Sequence, residues 1–533
     1  MDKQDYDNRV LEMLSTDSYA KVNKNPLHKM VEEIDNVRKD IGKVFGGRLQ
    51  FSLIVSNPCV ARIHALPKIH KPGKKMRPII PCINTPCSKV AKWLLNEIKY
   101  LEPFPNMSVR NSFEFIDKIK NVTVENNEIM VSFDVESLFP SVPVKEALKA
   151  FDEFLTVNKV PSNKKAVYNR VAELCMTQTY FSFRGEFYKT TKGINMGNPL
   201  SPLMAELYMA KLEMKLKEEN KLPRVFHRYV DDCYALVNKY ELDSILNSLN
   251  EQCESINFTC ETEVNGKLPF LDLELTRRND HIDIGVYHKT TSTKRVITSD
   301  SHCPIQHKHA SFHSMIYRLI NLPLSLINFK KEYDYICDVA YLNGYSKALV
   351  DSLVEKHAKK FNQNQHSTLF KNNMEDDGLK RVPFSYVPNV LNKIKNLLKE
   401  NKIVPVFSNN QKLKNVFTST KDKIVCLQKS GIYSIECGDC KRKYIGQTKR
   451  NIEKRFKEHL RCVKQFKTRE SAIAEHVITN KHNTSEKNMK LNLIKCVNKD
   501  NKLDAYESYF IEKERDAINL EPGKIQSILF SLV

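Results

Sequence analysis

Arg224-Val-Phe-His-Arg-Tyr-Val-Asp-Asp-Cys-Tyr-Ala-Leu-Val237 is the stretch on which the reading of this chain turns. Two β-rich apolar runs, Val225 to Val230 and Cys233 to Val237, flank adjacent carboxylates and read as a tight hairpin with Asp231 and Asp232 at its tip. An acid pair at a strand tip is most often a solvated turn, so on its own it leaves turn and metal site equally open. A third carboxylate in a matching setting shifts the balance. In Glu128-Ile-Met-Val-Ser-Phe-Asp-Val-Glu-Ser-Leu-Phe-Pro-Ser-Val-Pro143 an apolar strand runs into Asp134 and then a turn. Hard cations such as Mg²⁺ or Mn²⁺ take oxygen ligands and keep positions open for phosphate. Asp134, Asp231 and Asp232 on adjacent strands therefore suit two-metal phosphoryl transfer.

The charge points the same way. A formal net charge of +21 over 533 residues, spread along the chain, calls for a polyanion partner, either nucleic acid or an anionic membrane surface. No apolar run reaches the length of a membrane span, and Met1-Asp-Lys-Gln-Asp5 is unlike a signal peptide, so nucleic acid leads. Fourteen cysteines scattered through a large chain without a secretory segment read as reduced thiols. Of these only Cys437 and Cys440 have ligand-like spacing.

Between the two acidic stretches lies Lys192-Gly-Ile-Asn-Met-Gly-Asn-Pro-Leu-Ser-Pro-Leu-Met-Ala-Glu-Leu-Tyr-Met209. Gly193 and Gly197 allow close backbone approach to a template or nucleotide, and a helix follows from Pro199. Phe133 to Phe139, this stretch and Tyr229-Val-Asp-Asp232 resemble motifs A, B and C of reverse transcriptases in order and spacing. Upstream, Ala61-Arg-Ile-His-Ala-Leu-Pro-Lys-Ile-His-Lys-Pro-Gly-Lys-Lys-Met-Arg-Pro-Ile-Ile80 reads as a basic hairpin turning at Pro72-Gly73. It resembles the fingers of Penelope-like reverse transcriptases. The resemblance implies a triphosphate contact at Arg77, with Lys68 and Lys71 as lesser ones, nucleotide contact at Gly197, and Phe139 as the aromatic that excludes a ribose 2′-OH. The bland alternatives are a solvated basic turn and a core phenylalanine. Ser301-His-Cys-Pro-Ile-Gln-His-Lys-His309 holds one Cys and no ligand-pair spacing, so it reads as backbone or primer contact.

Near the C-terminus, Gly431-Ile-Tyr433 and Tyr444-Ile-Gly446 lie on two short β runs and resemble the name-giving triplets of GIY-YIG nucleases. A helix follows with Ile452, Phe456, Leu460 and Val463 as its apolar stripe and Arg455 and His459, four apart, on a neighbouring face. Such a pair is ordinarily solvated. Placed after both triplets it matches the family's catalytic Arg and accompanying His, and Glu507 in Leu503-Asp-Ala-Tyr-Glu-Ser-Tyr-Phe-Ile511 matches the metal-binding glutamate. Tyr433 or Tyr444 is then expected to help activate water, with Glu507 holding one Mg²⁺. Cys437 and Cys440, with His476 and His482 downstream, form a Cys₂His₂ set suited to structural Zn²⁺.

The resemblance to Penelope-like retroelement proteins covers about residues 5 to 515. It implies an α+β multidomain chain: an N-terminal helical segment (1–60), right-hand fingers and palm (61–290), a helical thumb (291–400), a basic linker (401–425) and a small α/β GIY-YIG domain (426–533). It implies nicking of a DNA target, extension of the freed 3′-OH on an RNA template with dNTPs, and a nuclear location. Family members usually carry more sequence before the fingers, so an N-terminally shortened copy is a further expectation. Two rivals are a decayed or host-adopted nucleic-acid-binding protein and a GIY-YIG repair nuclease. The intact acids argue against the first and motifs A to C against the second.

Overall fold

The computed structural model describes residues 2–67, 76–366, 379–387, 398, 400–408, 421–497, 502–514, 516–519 and 523–524. Lys68, Lys71, the Pro72-Gly73 turn and residues 409–420 of the expected linker lie outside them.

The first unit is built on a sheet of order β1-β7-β6-β2, from β1 (Tyr19–Val22), β2 (Ala61–Arg62), β6 (Tyr180–Phe183) and β7 (Glu186–Thr190). Beside it stands the expected basic hairpin, β3 (His64–Pro67) with β4 (Met76–Ile79), pairing Leu66 with Arg77. Residues 1–60 contain the helices α1 (Lys3–Leu14), α2 (Leu27–Phe45) and α3 (Gly47–Ser52), packed on the next unit. Tyr6, Val10 and Leu14 of α1 share a core with Ile63, Ala65 and Phe181, and β1 pairs with β7. Four residues of strand give too short an alternation to stand out beside two long helical patterns.

The palm sheet has the order β10-β5-β9-β8, all antiparallel, from β5 (Glu128–Val135), β8 (Val225–Tyr229), β9 (Asp232–Asn238) and β10 (Phe258–Thr262). Period-two alternation sends its side chains to two cores. Val131, Phe133, Val135, Cys233, Ala235 and Val237 enter the larger one, with α4 (Ser88–Ile98), α7 (Val144–Val157), α8 (Ser162–Thr177) and α9 (Ser201–Glu218). Met130, Tyr234 and Leu236 face α5 (Ser112–Ile119) and a second sheet, β11 (Lys267–Phe270), β12 (Leu273–Arg278) and β13 (His281–Val286). Covered on both faces, β9 reads as a continuous apolar run. The stretch Gly266 to Leu275 runs through the β11–β12 hairpin, turning where Leu271 takes a positive φ of 56°. The short helices α6 (Leu138–Ser141) and α10 (Leu242–Asn250) follow β5 and β9.

Three helices come next, α11 (Ile305–Asn321), α12 (Leu326–Leu342) and α13 (Lys347–His366), around Phe312, Ile316, Ile336 and Val350. Beyond them the expectation fails in one place. β14 (Lys380–Ser385) pairs in parallel with β15 (Ile403–Ser408), in a region assigned to the thumb's end and the linker. The run Ile403-Val-Pro-Val-Phe407 carries β-branched and aromatic residues, but its Pro405 argues against a strand unless the strand lies at an edge, as one of a lone pair does. The chain returns to the fingers at Asp422, whose carboxylate accepts from Arg184 N at 3.0 Å.

The last unit is a sheet of order β17-β16-β18, from β16 (Gly431–Cys437), β17 (Lys443–Thr448) and β18 (Met489–Cys496). On one face lie α14 (Ile452–Lys464) and α15 (Ala472–Thr479), and on the other α16 (Leu503–Lys513). The predicted stripe Ile452, Phe456, Leu460 and Val463 is buried against the sheet.

Candidate active sites

Antiparallel register sets the first site. Asp134, next to last in β5, pairs with Asp232, first in β9, and Asp232 pairs with Tyr229 across the hairpin. The turn is Val230-Asp231, one residue earlier than the sequence suggested, and Asp231 O accepts from Val135 N at 3.0 Å. Both acidic motifs are thus tied together by backbone. Val230 sits at φ 58°, a left-handed conformation that β-branched residues avoid and that costs of the order of 1–3 kcal/mol where it occurs.

Burial pushes the Asp232 carboxyl up to about 6, and repulsion from Asp231 and Asp134 adds to it, while Lys289 works against the rise. A carboxyl held up by burial and by two neighbouring carboxylates fits a divalent cation, whose charge offsets that repulsion. Linkage sets the sign. As pH rises from the ordinary carboxylate range to 6, the unfolded chain gives up this proton before the folded one, so the cation-free protein loses stability. Asp232→Asn should therefore melt higher than the parent at pH 7.5 in EDTA, and Mn²⁺ affinity of the parent should fall as pH drops from 7 to 5. A lower melting point in Asp232→Asn would contradict the repulsion.

Arg77 is exposed on β4, and Phe139 is half-buried in α6. The Phe139 carbonyl accepts from Ile194 N at 2.8 Å, which places it where motif A meets motif B. At Gly197, φ is 110° and a Cβ would lie 2.8 Å from Ile80 O and 2.9 Å from Pro81 Cα. The close approach that this glycine permits is to the chain following β4, and Ile80 N→Met196 O and Cys82 N→Gly197 O, 2.8 and 3.0 Å, fasten it there. Lys267 is engaged by Glu274 at 3.2 Å.

In the last unit, β16 and β17 pair Tyr433 with Gly446, and a Cβ at Gly446 would lie 2.6 Å from the Tyr433 hydroxyl. The glycine of the second triplet makes room for the tyrosine of the first. That hydroxyl lies 2.8 Å from His459 Nε2, and His459 Nδ1 lies 2.8 Å from Ser471 Oγ, the N-cap of α15. Arg455 hydrogen-bonds to Tyr433 and Tyr444 and is held by Glu458 at 2.9 Å. Burial drives the His459 imidazole down to about 4 and raises both phenols, so all three rings are neutral at pH 7. Across the sheet, Gln447 Nε2 donates to Glu507 at 2.7 Å and to Asp504 at 2.6 Å. Burial raises the Glu507 carboxyl, with Asp504 adding to it, again a donor set suited to a cation. Gln447 and Ser471 escaped the sequence reading. The former had a signal, since period two from Ile445 puts it on the face that α16 covers; a serine cap that meets a histidine 12 residues away had none.

Among the described residues, one group offers metal-ligand atoms all within 4.8 Å of one another: Cys437, Cys440, His476 and His482. Cys440 Sγ lies 3.2 Å from His476 Nε2 and Cys437 Sγ 3.4 Å from His482 Nδ1. A sulfur and a nitrogen on one tetrahedral Zn²⁺ stand about 3.6 Å apart, so the set fits zinc with small adjustment. All fourteen cysteines are free thiols; Cys82, Cys87 and Cys175 are buried, while Cys59, Cys253 and Cys260 are half-buried. Metal analysis should find one zinc per chain that survives dialysis and is lost in Cys440→Ala with a lower melting point. A folded, zinc-free parent would overturn the assignment.

Residues 69–263 match the model of the reverse transcriptase (RNA-dependent DNA polymerase) family, residues 429–520 the GIY-YIG catalytic domain, and residues 295–355 the animal helix-turn-helix domain. The last spans α11 and α12 and part of α13, which the sequence reading assigned to a thumb. No curated protein matches the chain. Among solved structures, telomerase from Candida albicans in complex with a fragment of telomeric RNA is similar at a TM-score of 0.41 and 12% identity, over 69% of this chain and 60% of that one. The Sicinivirus RNA-dependent RNA polymerase gives 0.38 and 14%, over 62% and 71%. The chain thus spans about 60% of the length of the telomerase it matches. It carries two enzyme domains, a reverse transcriptase domain and a C-terminal GIY-YIG catalytic domain, and among the described residues no helix is long and apolar enough to cross a membrane.

Proposed function

We propose that this chain, which joins a reverse transcriptase domain to a C-terminal GIY-YIG domain in the Penelope-like arrangement, is a retroelement protein that nicks DNA and extends the freed 3′-OH on an RNA template. The observation that carries this reading is the coexistence of two complete donor sets in one chain: Asp134, Asp231 and Asp232 on paired strands, and Tyr433, Arg455, His459 and Glu507 about a second sheet. Its place of action is the nucleus, where target DNA lies.

In the polymerase, the primer 3′-OH attacks the α-phosphorus of a dNTP and pyrophosphate leaves. Asp134, Asp231 and Asp232 would hold the cations, and Mg²⁺ there would supply neutralisation of charge on the attacking and leaving oxygens. Arg77 meets the triphosphate from β4, since guanidinium suits phosphate oxygens bidentately. Phe139 closes the space under the sugar. Phe139→Ala should therefore raise ribonucleotide incorporation at least about tenfold, or ~1.4 kcal/mol of lost discrimination, as read by competition between dNTP and rNTP; unchanged preference would make Phe139 a core residue only. The helices α11 to α13 serve as the thumb along the duplex.

In the nuclease, water attacks the scissile phosphorus and the 3′-oxygen leaves. Tyr433 accepts from Arg455 and donates to His459 Nε2, whose Nδ1 proton then goes to Ser471. This chain fixes the phenol's lone pair for the incoming water and leaves Arg455 facing the negative charge that develops. Glu507, held by Gln447, would bind the single divalent cation. Primer extension on an RNA template, run with Mg²⁺ and with EDTA, tests the polymerase reading: extension only with Mg²⁺ is expected, and none in either would refute it.

A further inference from the structure

Arg228 lies directly under the catalytic hairpin, three residues before Asp231, and is 1% exposed. Its guanidinium binds Glu206 in a bidentate fork, Nη1 at 2.9 Å and Nη2 at 3.1 Å, and its Nε binds Glu213. Both glutamates belong to α9, the helix that motif B opens, and lie two turns apart on one face. The remaining bond goes to the hairpin itself: Nη1 donates to Val230 O at 3.2 Å. Glu213 in turn accepts from Met107 N at 3.0 Å, and the Arg228 backbone exchanges bonds with Met107 O and Val109 N at 2.9 and 2.8 Å. The exposed edge of β8 is thereby covered by residues 107–109.

We propose that Arg228 is a positioning residue for the catalytic carboxylates, holding the strained Val230 turn to the motif B helix through Glu206 and Glu213. The reason for so costly a group in a core is geometric. A buried ion pair seldom stabilises more than apolar residues of the same volume would, but it fixes one arrangement, because every alternative leaves a charge unpaired. Val230 occupies a conformation its side chain disfavours, and a hairpin free to relax would rotate Asp231 away from Asp134. The guanidinium takes the carbonyl of the strained residue and anchors it to a helix outside the hairpin. Arg is required for its planar fork; Lys would keep the charge and lose the geometry.

This inference rests on the polymerase reading, and cation binding tests it separately from synthesis. Two variants are useful. Arg228→Met with Glu206→Leu and Glu213→Gln removes the charges together and so avoids leaving one unpaired. Glu206→Leu alone is the milder change, because Glu206 borders a cavity of about 370 Å³ lined by Leu95, Phe104 and Leu203, where an apolar side chain fits. Mn²⁺ binding to the full-length protein is followed by electron paramagnetic resonance, beside kcat and KM for dNTP and the melting temperature. The expected result is a folded triple variant with Mn²⁺ affinity at the palm lowered about tenfold, kcat reduced and KM for dNTP within about twofold of the parent. Glu206→Leu should shift Mn²⁺ affinity in the same direction by about threefold, and Arg228→Lys should fail to restore it. A folded variant, triple or single, with parental Mn²⁺ affinity overturns the proposal. Mn²⁺ bound by the parent and lost in Asp231→Asn, but with no DNA synthesis, would instead remove the polymerase reading and leave the clamp standing.

Discussion

Asp231→Asn is expected to lower DNA synthesis by at least about 10³-fold, equivalent to ~4 kcal/mol of transition-state stabilisation, while RNA binding stays at the parental level. The two effects separate because they have different physical origins. Asp231 sits at the hairpin turn with its carbonyl fixed to Val135 N, so an isosteric amide keeps the fold and loses only the anionic oxygen. Affinity for RNA is expected to come from phosphate contacts by lysine and arginine, spread over a chain of net charge +21, to which one carboxylate adds nothing. Gel-shift and primer-extension assays on the same preparation decide the matter. Synthesis near the parental rate would show that the aspartates are not the cation site, and loss of RNA binding with synthesis would point to misfolding.

Glu507→Ala is expected to abolish nicking of supercoiled DNA and to leave extension of a pre-annealed primer intact. Glu507 lies on α16, close enough to act on the Tyr433 and Tyr444 phenols, and its carboxyl is raised by burial and by Asp504, with Gln447 holding it at 2.7 Å. No palm residue can supply its charge, and losing a catalytic cation's ligand costs several kcal/mol. Mixing Glu507→Ala with Asp231→Asn should restore part of a coupled reaction if molecules exchange the nicked end. Equal loss of nicking and extension in Glu507→Ala would make the C-terminal unit a structural part of the polymerase.

Particular residues explain how much of this was legible beforehand. Asp134 and Asp232 could be set side by side from sequence because β5 and β9 are apolar runs ending in acids, and strand register does the rest. The triplets announced β16 and β17, and the helical stripe from Ile452 to Val463 announced α14, each a periodic signal within one element. The set of Cys437, Cys440, His476 and His482 was legible from short spacings within each pair, although across so long a gap the pattern is only moderately specific. What escaped was pairing between distant segments. Tyr19 to Val22 becomes a strand only because β7 is there to receive it, and Arg228 looks like an ordinary basic residue until α9 brings Glu206 and Glu213 against it. Gly197 shows the converse: its need for a positive φ was visible, whereas the partner in its close approach, the Ile80 and Pro81 backbone, was not.

The central claim, that one chain makes the nick and primes from it, is tested most directly in a single tube. Supercoiled plasmid, an RNA template, labelled dNTPs and Mg²⁺ are incubated with the parent protein, and the label is followed on a denaturing gel. Labelled DNA covalently continuous with the plasmid strand at the nick is expected, absent in both Glu507→Ala and Asp231→Asn. Nicked plasmid with all the label in free, unattached product would contradict it.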